Sequence, residues 1–391
     1  MGRIVSIYLD YNATSPILAE VLEAMVRAQD PAIGNASSVH RYGQRARGLV
    51  DEARSAVAAL LEADPDEVVF TSGGTEAINL SLRGAFDTFA PAGRKRLVIS
   101  AIEHEAVLNT AKALSSRGAE VVVIQSETDG VVPAADMIAG ITRETALVSL
   151  MLANNEIGTI QPVAEVARHC REMGVLCHAD AVQAVGKIPV SAPELGVDLL
   201  SISGHKFGGP KGVGALYVRR GTRVTAQATG GRQERNRRAG TENVPGLAGL
   251  GVAARLARES LAQAGFISKR RDRLERRILD AVRGSAVNGD GAPRVPNTTN
   301  ISFEGVEAES LLIALDLEGI AVSTGSACSS GSLEPSHVLR GMGLPHSRAR
   351  NSIRFSLGAL TTDQEVDFVA SLVPDLVAKL RRLNRPAEAV R

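Results

Sequence analysis

Short apolar runs recur along the middle of the chain: Val68–Phe70, Leu97–Ser100, Val121–Ile124, Leu147–Leu152, Val175–Ala179, Leu199–Ser203 and Ala215–Val218. Each is too short for a helix and is separated from the next by a helical or loop segment, so the runs read as strands. Strands that alternate with helices predict a mostly parallel sheet covered on both faces. Ligands of such sheets sit beyond the carboxyl ends of the strands. The polar residues at those ends are therefore the first place to look for chemistry.

The flanking regions follow other patterns. Ile4–Leu9 reads as a strand. Ser15-Pro16 reads as an N-cap with proline at the first helical position, followed by Ile17, Leu18, Val21, Leu22, Met25 and Val26 at helical spacing. A loop, 33–38, precedes a long helix ending near Leu61. Beyond Val244 the chain becomes helical, including the basic run Lys269–Arg277, whose Arg271/Glu275 and Asp272/Arg276 are expected as i,i+4 pairs on a solvated face. A smaller α/β unit follows: strand Asn300–Phe303, helix Glu309–Leu317, strand Ile320–Val322, loop 323–333, helix 335–342, strand Ser352–Leu357 and a helix from Thr362. The expected division is a large domain over 15–254 and a small domain made of 1–14 and 255–391, the latter carrying loop 323–333.

Composition narrows the possible functions. A chain of 391 residues exceeds the roughly 250–300 at which one core stops growing, which agrees with two domains. Hydrophobic residues make up 44% but aromatics only 3%, so the core is mostly aliphatic. A net charge of +1 gives no bulk field for nucleic acid or an anionic membrane. No apolar run approaches the ~18 residues of a transmembrane helix. Met1–Ser6 fits a myristoylation pattern, but the strand reading of the same residues is favoured. Three scattered cysteines, Cys170, Cys177 and Cys328, make no disulfide framework and suggest a reducing, cytoplasmic setting.

Candidate chemistry gathers at the strand ends. Thr71-Ser-Gly-Gly-Thr-Glu76 follows a strand and opens a helix, which suits a phosphate at the helix N-terminus or, equally simply, a plain turn. Asp180 ends an apolar strand and needs a cationic or hydrogen-bonding partner. Alternation puts His178 on its face and Cys177 on the other, which argues against a metal site at His169-Cys170 and Cys177-His178 and for buried thiols at both cysteines. Lys206 follows Ser203-Gly-His205 just past a strand and is favoured as a nucleophile over Lys211, which lies in a Gly-Pro-Lys-Gly turn. A lysine for a Schiff base and a carboxylate for a pyridinium nitrogen are what pyridoxal phosphate (PLP) requires.

Arg354 projects from the face opposite Ile353, Phe355 and Leu357. It suits either carboxylate recognition or a surface ion pair. Cys328 lies among Ser, Gly and Ala with no apolar neighbour in sequence, as expected of a reactive thiol rather than a packed one. The run Gly230–Asn243 is basic and glycine-bounded, yet it has no aromatic residue for base stacking, so nucleic-acid binding is not expected.

Taken together the motifs resemble the NifS/IscS-type cysteine desulfurases of the class V aminotransferase family, in the branch with a long cysteine loop. The resemblance runs nearly end to end: Tyr8–Thr14, Gly34-Asn35, Thr71–Glu76, Glu103-His104, Asn154–Gly158, His178–Gln183, Ser203–Lys206, Arg238–Asn243, Ser326–His337 and Arg354–Leu357. It implies the α/β fold of PLP-dependent transferases (aspartate-aminotransferase-like), with a mainly parallel large domain and a smaller α/β C-terminal domain.

It also implies roles. Lys206 would form the Schiff base, Asp180 would pair with the ring nitrogen, Gln183 would bond the phenolic oxygen, and His104 would stack on the ring and shuttle a proton. Gly74, Thr75, Ser203 and His205 would hold the phosphate, and Thr241 would reach the phosphate of the other subunit of a homodimer. Asn35, Asn155 and Arg354 would bind substrate. Cys328 would take sulfur from L-cysteine, release alanine and pass the sulfur to an acceptor such as an iron–sulfur scaffold protein, with Cys328 itself open to a transient iron–sulfur ligand role and no other metal site. Selenocysteine lyase or other class V chemistry, and a non-catalytic sulfur-transfer partner, are the competing readings.

Overall fold

All seven central runs form strands, and they join one sheet. A computed structural model describes residues 6–324 and 335–383. Cys328 and most of loop 323–333, the start of the strand expected over Ile4–Leu9 and the N-terminal acylation motif lie outside the described residues. In chain order the first part comprises β1 (Ile7–Tyr8), α1 (Ala19–Arg27), α2 (Arg41–Leu60), β2 (Val68–Thr71), α3 (Gly74–Phe89), β3 (Arg96–Ser100), α4 (Glu105–Ser115) and β4 (Glu120–Ile124). Then come α5 (Ala134–Ala139), β5 (Thr145–Ser149), α6 (Val163–Met173), β6 (Leu176–Asp180), α7 (Ala192–Leu195), β7 (Leu199–Ser203) and β8 (Gly214–Val218). The remainder is α8 (Val244–Ser260), α9 (Ala264–Ala281), β9 (Ser285–Val287), β10 (Thr298–Phe303), α10 (Ala308–Leu317), β11 (Ile320–Ala321), α11 (His337–Gly341), α12 (His346–Arg350), β12 (Ser352–Ser356) and α13 (Asp363–Leu383).

The large sheet has the order β2-β8-β7-β6-β5-β3-β4. Its neighbours from β7 to β4 are parallel, and β8 runs antiparallel between β7 and β2. Strand alternation sends successive side chains into two different cores. In β3, Val98 joins α2 and α8 on one face, whereas Leu97 and Ile99 pack with α3 and α4 on the other. In β8, Ala215 and Tyr217 join the first core and Leu216 and Val218 the second. This is why the strands read as unbroken apolar runs.

A second sheet, β12-β10-β9, is antiparallel and has its own core, drawing on α9, α10 and α13. The N-terminal segment belongs with it: β1 pairs with β11, and Asp10 bridges to Ser356. Residue 255 falls inside the continuous helix α8, whose buried side chains as far as Ala257 join the first core. The second core resumes at Leu274.

Two local expectations are corrected. Ser15-Pro16 does not start a helix; α1 begins at Ala19 after Leu18. The segment is instead extended against the turn after β7, with Ser15 N–H on His205 O at 2.8 Å, Leu18 N–H on Gly208 O at 3.1 Å, and Ser15 Oγ on Lys206 O at 2.9 Å. Those tertiary bonds satisfy the backbone that a first helical turn would have used. In α9 the i,i+4 pairs do not form. Arg271 is buried and donates Nη1 to Val295 O and Thr298 O, while Glu275 is clamped by Arg294 at 2.9 and 3.1 Å. Arg271 and Glu275 face the second sheet, whereas Arg273, Arg276 and Arg277 of the same run are exposed as expected of a solvated face.

Candidate active site

Strands β6 and β7 run parallel side by side, Asp180 opposite Ser201, and they end at Asp180 and Ser203, both of which line the site. With the start of α3 and the Asn12 segment they enclose a cavity of about 310 Å³. Of the residues expected from sequence, Gly74, Thr75, His104, Asn155, Asp180, Gln183, Ser203, His205, Lys206 and Arg354 all line it. Asn35 and Thr241 do not: both are exposed, on loops joined through Arg47, which reaches Ala36 O and Glu242. Lys211, the competing lysine, is exposed as well.

The short turn Gly204–Lys206 carries Lys206 out of β7. Its Nζ donates to Asn12 O at 2.6 Å and Ala13 O at 2.8 Å. The turn is packed tightly: a Cβ on Gly204 would lie 2.9 Å from Leu250 Cδ1. His205 Nδ1 meets Thr14 Oγ1 at 3.1 Å, and burial, aided by Lys206 and Lys211, lowers its pKa to about 4. It is a neutral group at physiological pH.

Asp180 is buried, with Oδ1 accepting Val182 N–H at 2.9 Å. Burial raises its pKa, against the pull of His104, that N–H and Lys206. Burial thus outweighs the nearby His104 and Lys206, and a protonated ring nitrogen is the kind of partner this carboxylate fits. His104 caps α4, its Nδ1 accepting Ala106 N–H at 3.0 Å. The neutral ring therefore carries its proton on Nε2. Burial lowers the His104 pKa; Lys206 adds to this and Asp180 opposes it.

Two glycines shape the start of α3 at this cavity, the cradle expected for a phosphate. Gly73, at φ +153°, supplies no capping side chain to α3, so the first N–H groups of a 16-residue helix face outward uncapped by a side chain. A Cβ on Gly74 would stand 2.8 Å from Val182 Cγ2, so the glycine lets α3 start close against Val182. Ser203 and His205 border the cradle. This donor set, with Asp180 and Lys206 in the same cavity, fits a phosphorylated pyridine aldehyde.

On the other wall, Arg354 is not a surface residue. Its side chain is 3% exposed, and Nη2 pairs with Asp10 Oδ1 at 2.6 Å while Nη1 donates to Asn155 O at 3.0 Å. Its Nε is buried and has no hydrogen-bond partner among the described residues. Such a group, fixed by Asp10 and bordering the cavity, suits a carboxylate ligand.

Two residues with no assigned role turn out to connect these walls. Asn12 is 1% exposed, and its carbonyl accepts from both Gln183 Nε2 (2.9 Å) and Lys206. Its side chain donates to Asn155 O and Thr298 Oγ1 and accepts from Asn297 and Lys187. Lys187 is buried and donates to Asn12 Oδ1 at 2.8 Å and to Gln183 Oε1. The available signal was a single lysine four residues after Gln183 in an otherwise apolar turn. Cys170 and Cys177 are both buried, as expected, and lie against each other.

Comparisons with known proteins agree with this geometry. The family described as Aminotransferase class-V matches residues 7–369. The cysteine desulfurase of Trichormus azollae is 47% identical over 379 residues, covering 97% of this chain and 94% of that protein. The cysteine desulfurase IscS of Dictyoglomus turgidum is 45% identical, covering 97% and 96% respectively. Among solved structures, a NifS-like protein superposes with a TM-score of 0.89 at 37% identity, covering 96% of this chain and all of the other.

Proposed function

The chain belongs to the class V aminotransferase family, and from that premise we propose that it is a PLP-dependent cysteine desulfurase. The observation that carries the reading is the placement of Lys206, Asp180 and Gln183 around one cavity, between an uncapped helix N-terminus and the buried guanidinium of Arg354. Bound there, PLP would supply an electrophilic carbon for the substrate amine and an electron-withdrawing ring.

The protein's own groups have distinct tasks. Gly74, Thr75, Ser203 and His205 hold the phosphate, and the neutral state of His205 leaves it able to donate a hydrogen bond without a second charge. Asp180 keeps the ring nitrogen protonated, and this partner in turn relieves the cost of burying its carboxylate. Arg354 orients the substrate carboxylate beside Asn155, while Asp10 fixes the guanidinium plane. Lys206 would hold the cofactor and, with its amine free, would be the base for the substrate α-proton. His104, with its proton on Nε2, is placed to deliver one.

Cys328 distinguishes a desulfurase from the other class V reactions. Its thiolate would attack the sulfur of L-cysteine, and the carbon–sulfur bond breaks with its electron pair left on the carbon, which takes up a proton. The substrate leaves as L-alanine and Cys328 retains the sulfur as a persulfide. We assign the persulfide to an acceptor such as an iron–sulfur scaffold protein. The exposed positions of Asn35 and Thr241, tied together by Arg47, support a homodimer in which these loops complete the partner's cavity.

The test uses two variants. Cys328→Ala should lose sulfide and alanine production from L-cysteine while keeping the cofactor's absorption band, and Lys206→Ala should lose the band. Turnover of cysteine at the wild-type rate by Cys328→Ala would exclude the mechanism. A wild-type protein that binds no PLP would exclude the enzyme reading altogether.

A further inference from the structure

The geometry points to Lys187 as a positioning residue of the cofactor site, acting from beneath it through Gln183 and Asn12. The inference rests on the reading of this cavity as a PLP site. Lys187 lies outside the lining of that cavity, yet its Nζ holds two of the groups that shape it.

A lysine is an expensive residue to bury here. Both of its bonded partners, Asn12 Oδ1 and Gln183 Oε1, are neutral amide oxygens. The charges that act on it are Lys206 and Arg354, both cationic, and burial is the larger influence in pushing its pKa well below the usual lysine value. A buried cation without an anion is destabilising, and an apolar side chain would fill the space at lower cost. The turn that carries it is also fixed. Gly186 adopts φ +77°, and a Cβ there would stand 2.8 Å from Phe207 Cβ, immediately beside Lys206.

What the ammonium does is set polarity. A lysine only donates hydrogen bonds, so it commits Gln183 Oε1 inward. The amide nitrogen then points the other way, one hydrogen to Asn12 O and the second available to the cavity. Asn12 O, which can only accept, holds Nε2 on one side and Lys187 holds Oε1 on the other, so the flipped carboxamide would lose both bonds; without Lys187 only the Asn12 bond is left to oppose it. The wall therefore presents a donor, which recognises an acceptor oxygen such as the phenolate of PLP. The same ammonium fixes Asn12 Oδ1, and the Asn12 carbonyl receives both Gln183 and Lys206.

The test is Lys187→Met in the full-length protein, a change of similar length that removes the charge and the donors. Two quantities are read: the Kd of the apoprotein for PLP, and the pH midpoint of the bound cofactor's absorption band. With the cation and the oriented donor gone, the Kd should rise about tenfold or more. The midpoint should move up by about one unit, a tenfold change in proton affinity. Because Lys187 acts through Gln183, adding Lys187→Met to Gln183→Leu should produce little further change in either quantity. Should Lys187→Met fail to fold, Gln183→Leu alone, which leaves the lysine in place, must still shift both quantities. An unchanged Kd and midpoint in the folded variant, or full additivity in the double variant, overturns the inference. A wild-type protein without PLP binding overturns instead the reading on which it rests.

Discussion

Replacing Glu234 with alanine should unfasten one edge of the large sheet. Among the described residues strand β2 pairs only with β8, and the outward groups of Val68 and Phe70 meet no strand there. A side-chain pair takes that strand's place. Arg54 Nη1 donates to Val68 O at 2.7 Å, and Glu234 Oε2 accepts Phe70 N–H at 2.8 Å. The two residues close on each other at 2.6 and 2.8 Å, and the guanidinium lies 4.5 Å from the Phe70 ring centroid. Their side chains are 6% and 4% exposed. Losing one member leaves a buried guanidinium and an orphaned N–H, at a cost of about 3–5 kcal/mol.

Part of that cost is returned. Glu234, Arg235 and Asn236 are held at φ +45°, +54° and +63°, a left-handed turn that relaxes once its anchor is gone. A net local loss of about 2–4 kcal/mol remains, which corresponds to roughly thirtyfold to thousandfold faster exchange of the Phe70 amide. Hydrogen exchange resolved to the 68–71 segment measures it. Glu234→Gln, which retains an acceptor for Phe70 N–H, should fall between wild type and alanine. Acceleration below about threefold in a folded Glu234→Ala variant, or the same acceleration in every strand, would refute the edge-closing argument.

Two further outcomes follow from other sites. Arg354→Lys keeps the charge but cannot hold Asp10 and Asn155 O with a rigid fork. It should raise KM for L-cysteine about tenfold or more and leave the cofactor band in place, as steady-state kinetics and absorbance would show. Glu103 is fully buried, with Oε1 on Ser100 and Met151 N–H and Oε2 unpartnered; burial, reinforced by Asp180, raises its pKa to about 8. Because this folded value exceeds the unfolded one, its contribution to stability is complete at acid pH and is lost as pH rises through about 8. Glu103→Gln, which mimics the protonated acid, should therefore gain on wild type by up to about 1.4 kcal/mol per pH unit between pH ~5 and ~8. Thermal midpoints across that range test it, and a pH-independent difference would contradict it.

Much of the site could be read along the chain because its parts are local signals. An apolar run that stops at Asp180, a strand–glycine–helix junction at Gly73-Gly74, and a lysine just past a strand each carry their meaning within a few residues. Strand alternation likewise placed His178 and Cys177 on opposite faces without any knowledge of what lay beyond them. Ser15-Pro16 misled because a good local capping pattern lost to backbone bonds with residues 205 and 208, nearly two hundred positions away. The same competition broke the expected pairs in α9, where Val295, Thr298 and Arg294 outbid neighbours one turn along the helix.

The sequence by itself determined the parallel sheet, the order of its strands along the chain and the identity of the groups that gather at their ends, since these depend on periodicity and on short-range chemistry. Only the tertiary structure decided that Arg354 is buried rather than exposed, that Asn35 and Thr241 stand away from the Lys206 cavity, and that Asn12 and Lys187 tie Gln183 to Lys206. Burial and hydrogen-bond partnership belong to whichever segments meet in space. A lysine whose partners are one residue four positions off and another 175 positions away has no pattern along the chain that announces both.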